Sequence, residues 1–145
     1  MDLQGLFPPI PTPFDDSGAV DHGSLQANLE RWADQPLSGY VVGGSNGEFV
    51  SLSFEERVDV VRAVRDVVPK DRRLIAGAGL LGTTETIRLC HAVGSAGADA
   101  VLIITPHYYR AQMKSQALIE HFTQVADGID LPLIIYNVPA NTGID

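Results

Sequence analysis

Residues 74–104, LIAGAGLLGTTETIRLCHAVGSAGADAVLII, set the reading of the whole chain. Two apolar runs, at 74–76 and 101–104, flank a segment in which Ile87, Cys90 and Val93 recur at helical spacing. The runs are almost continuously apolar, as in parallel strands covered on both faces. The same alternation extends outward. Further apolar runs lie at 6–10, 40–42 and 133–136. Between the runs, Leu25, Leu29 and Trp32 mark one helix, and Phe54, Val58, Val61, Val64 and Val68 a second. Leu118, Phe122 and Val125 mark the fourth. Ser53 with Glu56 three residues later reads as a capping box, and Asp21 and Ser115 are the expected N-caps of the first and fourth helices.

Strands are therefore predicted near 6–10, 40–43, 74–77, 101–104 and 133–136, in one domain spanning 1–145. The class is α/β with a parallel sheet, either open and doubly wound or part of a barrel. A complete (β/α)8 barrel takes about 250 residues, so 145 residues would supply its N-terminal part, with about five strands and four helices. Residues 141–145 follow the last predicted strand with no closing helix expected.

Composition narrows the function classes. The chain is 45% hydrophobic, too apolar for disorder, and charges interrupt each apolar stretch before membrane-spanning length. Ten Lys+Arg against eighteen Asp+Glu give a net charge of -8, which argues against a nucleic-acid partner. An acidic field also repels anionic substrates, so an anion must be held by local donors. Cys90 is the single cysteine and can form no internal disulfide, which suits a reducing compartment such as the cytoplasm. No signal or transit pattern is present in the first residues.

Active sites of parallel α/β folds lie beyond the carboxyl ends of the strands. Three such ends are polar: Gly43-Gly44-Ser45-Asn46-Gly47-Glu48, Thr105-Pro106-His107-Tyr108-Tyr109-Arg110, and Tyr136-Asn137-Val138-Pro139-Ala140-Asn141-Thr142-Gly143. Gly-Gly and Asn-Gly let backbone N–H groups approach a carboxylate or phosphate. Hydroxyls of Ser45, Tyr108 and Tyr136 could pass protons. Each loop alone is an ordinary turn composition; three on one face point to a site.

Other motifs carry less. Gly77-Ala78-Gly79-Leu80-Leu81-Gly82 fits the dinucleotide fingerprint, yet its acidic candidate, Asp99, precedes the next strand instead of ending it. Gly43-Gly44-Ser45-Asn46-Gly47 matches the letters of a nucleophile elbow without partners in context. His22, His91, His107 and His121 are dispersed and form no metal-ligand set, so no metal is expected. Cys90 reads as core. Glu48 is a candidate base whose position also fits a structural carboxylate.

Taken in order, Pro11-Thr12-Pro13-Phe14, Gly18-Ala19-Val20-Asp21, Gly43 to Glu48, Leu52-Ser53 with Glu55-Glu56-Arg57, Ala76-Gly77-Ala78-Gly79, Gly97-Ala98-Asp99-Ala100, Pro106-His107-Tyr108-Tyr109 and Tyr136-Asn137-Val138-Pro139 span the chain. This series resembles the dihydrodipicolinate synthase / N-acetylneuraminate lyase family of Schiff-base aldolases. Within it, Gly44 to Phe49 and Val138 to Gly143 look most like 4-hydroxy-2-oxoglutarate aldolase. The resemblance implies a (β/α)8 barrel, assembled as a homotetramer from tight dimers. It also implies a sixth-strand lysine that forms an imine with pyruvate or a related 2-oxo acid, with no metal or organic cofactor. Tyr136 would be the proton-relay tyrosine, Ser45 the hydroxyl linking two tyrosines, and Tyr108 the tyrosine lent to a neighbouring subunit. N–H groups of Ser45 and Asn46, after Gly44, would bind the substrate carboxylate.

Two departures follow from the same comparison. Asn141 stands where dihydrodipicolinate synthases commonly carry an arginine for the second substrate, which favours cleavage of 4-hydroxy-2-oxoglutarate to pyruvate and glyoxylate. The lysines, Lys70 and Lys114, both fall away from strand carboxyl ends, and a sixth strand would lie near residue 160. The 145-residue chain alone is therefore expected to be inactive. The alternatives are a dihydrodipicolinate synthase-like enzyme and a non-catalytic 2-oxo acid binding or partner subunit.

Overall fold

The computed structural model describes residues 3–145. Four parallel strands, β1 (Gly39–Val42), β2 (Arg73–Gly77), β3 (Ala100–Ile104) and β4 (Leu133–Tyr136), form one sheet in sequence order. Register pairs Tyr40 with Leu74, Ile75 with Ala100 and Ile103 with Ile135. Helices α1 (His22–Trp32), α2 (Phe54–Val67), α3 (Thr83–Ser95) and α4 (Ser115–Asp127) alternate with the strands, and a one-turn helix α5 (Pro139–Thr142) follows β4.

The predicted strand at 6–10 is not a regular strand. It runs beside β1, with Ser38 and Val41 donating to the carbonyls of Leu6 and Pro8 and Ile10 donating to Val41, each at 3.0 Å. Only one bridge, Pro9 to Val41, results. The backbone groups of residues 6, 8 and 10 face β1, and Pro8 has no N–H to donate there, so the ladder cannot close. Two smaller expectations also change. Lys114, not Ser115, occupies the N-cap of α4, because Ser115 already has helical backbone. The segment expected to lack a helix contains α5, which starts at Pro139, a residue pre-set for the first helical turn.

The core lies between the sheet and the helices. Leu25 and Leu29 of α1, Val60, Val61 and Val64 of α2, and Leu89, Cys90 and Val93 of α3 meet Leu74, Ala76, Val101 and Ile103 of the strands. The Asp21 cap and the Ser53–Glu56 capping box both form. At the amino end of the strands, the Asp99 carboxylate accepts from the Leu74 N–H at 2.8 Å and pairs with Arg65 and Arg73. That carboxylate therefore ties β2, β3 and α2 together at the end away from the polar loops. This placement removes Asp99 as a ribose-binding acid.

The Gly77 and Gly79 positions have a packing reason. A Cβ on Gly77 would stand 2.0 Å from the Gly43 carbonyl oxygen, and one on Gly79 would stand 2.6 Å from the Ile104 nitrogen. Neighbouring backbone fills both places, so the glycines serve strand packing and leave no room there for a pyrophosphate.

Candidate active site

The turn after β1 is built for close approach. Gly43 sits at φ +66, in the left-handed region, and Gly44 is extended. The chain then makes a 3-10 turn over Ser45–Gly47, passes through Glu48 at φ 51, and makes a second over Phe49–Ser51. A non-glycine residue in the left-handed region is uncommon, and it reverses the chain between the two turns. Thr12 Oγ1 donates to the Gly47 carbonyl at 2.8 Å in a buried bond, anchoring this segment to the 6–14 strap.

This turn brings Ser45 to β4. Ser45 Oγ and Tyr136 OH are 3.3 Å apart, across 91 residues of sequence. Two hydroxyls at this distance share one proton position, so either can donate while the other accepts. Beneath them is a cleft of about 10 Å³, room for roughly one water. Its walls are Gly43, Gly44, Phe49, Gly77, Gly79, Leu102, Ile104 and Tyr136. Two of the predicted catalytic residues thus meet, with Gly44 in the cleft wall and Asn46 exposed beside Ser45.

Others are not brought together. Tyr108 is 72% exposed, packs edge-to-face on Tyr109 at 5.0 Å between ring centroids, and does not reach the Ser45–Tyr136 pair. Asn141 is exposed on α5, and Glu48 is exposed with no capping bond. His107 donates Nδ1–H to the Thr105 carbonyl at 3.1 Å. Lys70, in the 69–72 turn, and Lys114, before α4, are both exposed and away from the cleft. Among the described residues no group of three or more His, Cys, Asp or Glu side chains could hold a metal. Among the described residues no helix is long and apolar enough to cross a membrane.

One residue beside this site was missed. Arg57 of α2 is 8% exposed, donates to the Leu52 and Gly79 carbonyls at 3.4 Å each, and lies over the Phe49 ring at 5.0 Å. Burial lowers its pKa, yet an arginine starts so high that it stays charged. The signal was present in the spacing: position 57 falls on the same helical stripe as Val61 and Val64.

The family model described as the dihydrodipicolinate synthetase family matches residues 2–145. The chain belongs to that family. A 4-hydroxy-tetrahydrodipicolinate synthase of Haloarcula marismortui is 41% identical over 143 residues, covering 99% of this chain and 46% of the relative. The chloride-inhibited dihydrodipicolinate synthase of Acinetobacter baumannii, solved with pyruvate, superposes with a TM-score of 0.93 at 38% identity. There 99% of this chain covers 49% of that one. CdNal of Clostridium difficile, solved with mannosamine, gives a TM-score of 0.92 at 28% identity, over 100% of this chain and 50% of that one. The chain therefore spans about half the length of the relatives it matches, and the sheet of β1–β4 corresponds to about half of their barrels. The specific likeness to 4-hydroxy-2-oxoglutarate aldolase has no counterpart among these relatives, of which the Haloarcula and Acinetobacter proteins are named for dihydrodipicolinate synthesis.

Proposed function

We propose that this chain carries the hydroxyl-relay half of a 2-oxo acid site in a pyruvate-dependent Schiff-base lyase. The observation that carries the reading is the Ser45–Tyr136 pair, held 3.3 Å apart at the carboxyl end of the sheet. The reaction needs an amine to condense with the ketone, with loss of water, and the resulting imine replaces any organic cofactor as electron sink. Neither Lys70 nor Lys114 stands at the cleft, so the amine belongs to a part of the full protein outside these 145 residues. Tyr136 and Ser45 move protons to and from the condensing carbonyl. The N–H groups of Ser45 and Asn46 hold the carboxylate, as a chain of net charge -8 requires.

The names of the relatives favour 4-hydroxy-tetrahydrodipicolinate synthesis as the overall reaction. One observation favours a second reading, retro-aldol cleavage of 4-hydroxy-2-oxoglutarate: residue 141 is an uncharged asparagine on α5. The exposure of Tyr108 supports a dimer-of-dimers assembly in which it completes a neighbour's site. A single buried thiol fits a cytoplasmic setting.

The test is trapping. Incubation of the 145-residue chain with pyruvate and borohydride is expected to leave its mass unchanged, while a longer chain that adds a lysine-bearing sixth strand gains one pyruvate. A stoichiometric adduct mapped to Lys70 or Lys114 would overturn the placement of the site.

A further inference from the structure

Arg57 of α2 takes no part in the relay and is almost wholly shielded from water. No carboxylate lies within ion-pair distance of it among the described residues. A buried cation without a carboxylate is costly, and an apolar side chain of similar volume would ordinarily be the more stable choice. Its donors go to two backbone carbonyls instead. Leu52 closes the segment that starts at Ser45, and Gly79 lies in the turn after β2, 22 residues from Arg57. Arg57 lines a cavity of about 220 Å³ whose walls also include Leu80, Thr105 and His107. That cavity and the cleft under Tyr136 share three wall residues, Phe49, Gly79 and Ile104. Arg57 therefore stands behind the wall of the hydroxyl pair, touching it at Phe49 through the ring face and at Gly79 through the carbonyl.

We propose that Arg57 is a positioning residue for the 2-oxo acid site: it fixes the Phe49–Gly79 wall, and through the 45–52 segment fixes Ser45 against Tyr136. The inference rests on the 2-oxo acid reading given above. A planar fork can hold two divergent carbonyls and stack on a ring at once, which a point-charge ammonium cannot. The left-handed Glu48 joins two 3-10 turns, each closed by its own backbone bonds, so the Arg57 bond to the Leu52 carbonyl places the pair of turns as a unit against Gly79.

The experiment follows backbone amide shifts of the 15N-labelled chain during pyruvate titration, for wild type, Arg57→Met and Arg57→Lys, well below each melting temperature. Arg57→Met is expected to move the Phe49 and Gly79 amides without ligand and to weaken pyruvate binding about tenfold, as loss of charge-assisted tethers allows. Arg57→Lys recovers part of the affinity, and ethylguanidinium added to Arg57→Ala recovers more of it than equal sodium chloride does. Binding by Arg57→Met equal to wild type overturns the proposal and leaves the site reading standing. A wild-type chain whose Ser45 and Asn46 amides ignore pyruvate overturns both. Should Arg57→Met not fold, Arg57→Gln, which keeps a donor but removes the charged fork, takes its place with the same expectation.

Discussion

Gly77→Ala is the perturbation that connects strand packing most directly to the hydroxyl pair. The added Cβ would lie 2.0 Å from the Gly43 carbonyl oxygen, whereas ordinary contact begins at 3.4 Å. The Gly43 backbone must therefore retreat by about 1.4 Å, and it cannot do so by rotating a side chain. Gly77 lacks a positive φ, so the clash alone is responsible. Overpacking of this kind costs roughly 1–3 kcal/mol. For a chain of this size that lowers the melting temperature by about 3–10 °C. Ser45 follows Gly43 by two residues, and its 3.3 Å contact with Tyr136 has little margin before it exceeds hydrogen-bond reach. Losing that bond removes about 1 kcal/mol from pyruvate binding, roughly fivefold in affinity. Circular dichroism melts and amide-shift titrations read the two effects separately. Gly82→Ala is the control, since a Cβ there meets nothing within 4 Å and the change at this N-cap costs at most about 1 kcal/mol. A Gly77→Ala chain that melts and binds pyruvate like the Gly82→Ala control would refute the reasoning.

Other outcomes follow from single buried groups. Cys90 is fully buried, and burial pushes its thiol up to about 12, so iodoacetamide at pH 8 is expected to leave it unmodified until urea unfolds the chain. Labelling at the rate of a free thiol in the folded chain would contradict this. His121 is buried with Nδ1 2.9 Å from the Thr83 hydroxyl and Nε2 without a hydrogen-bond partner among the described residues, and burial lowers its pKa below 6.5. The unfolded chain then takes up the proton first, so stability is constant above pH 6.5 and falls as pH drops below it. Urea midpoints at pH 7.5 and 5.5 should differ for the wild type and coincide for His121→Leu. The carboxylates held down by hydrogen bonds, Asp15 and Asp21 by serine hydroxyls and Glu56 by the Ser53 N–H, contribute stability that is lost only as pH falls below about 4.5. Their effect therefore lies outside the His121 window.

The sheet was legible because β1–β4 are short, apolar and separated by helices of clear period; their predicted limits differ from the observed ones by at most one residue at either end. The 6–10 segment has the same apolar character, but hydrophobicity reports burial and not hydrogen bonding. Pro8 decides the matter through its missing donor on the side that faces β1. Ser45 and Tyr136 could be nominated from loop composition, yet their meeting depends on Gly43 and Glu48 turning the chain left-handed, which composition does not encode. Gly77 and Gly79 illustrate the converse: their spacing imitates a nucleotide fingerprint, and only neighbouring backbone shows why they are glycines. Arg57 was hidden for a different reason. Its spacing puts it on the buried stripe, but what satisfies a charge there, the Leu52 and Gly79 carbonyls, is set by tertiary structure.

The account stands on Ser45 and Tyr136 acting as one unit at a 2-oxo acid site. Pyruvate titration of the 15N-labelled chain, repeated with Ser45→Ala, Tyr136→Phe and the double variant, measures this directly. The Ser45 and Asn46 amides are expected to shift in the wild type. Each single variant should weaken binding by about fivefold, as for one lost hydrogen bond, and the double variant by no more than a single one. Saturable shifts confined to another face of the sheet, or losses that add fully in the double variant, would contradict it.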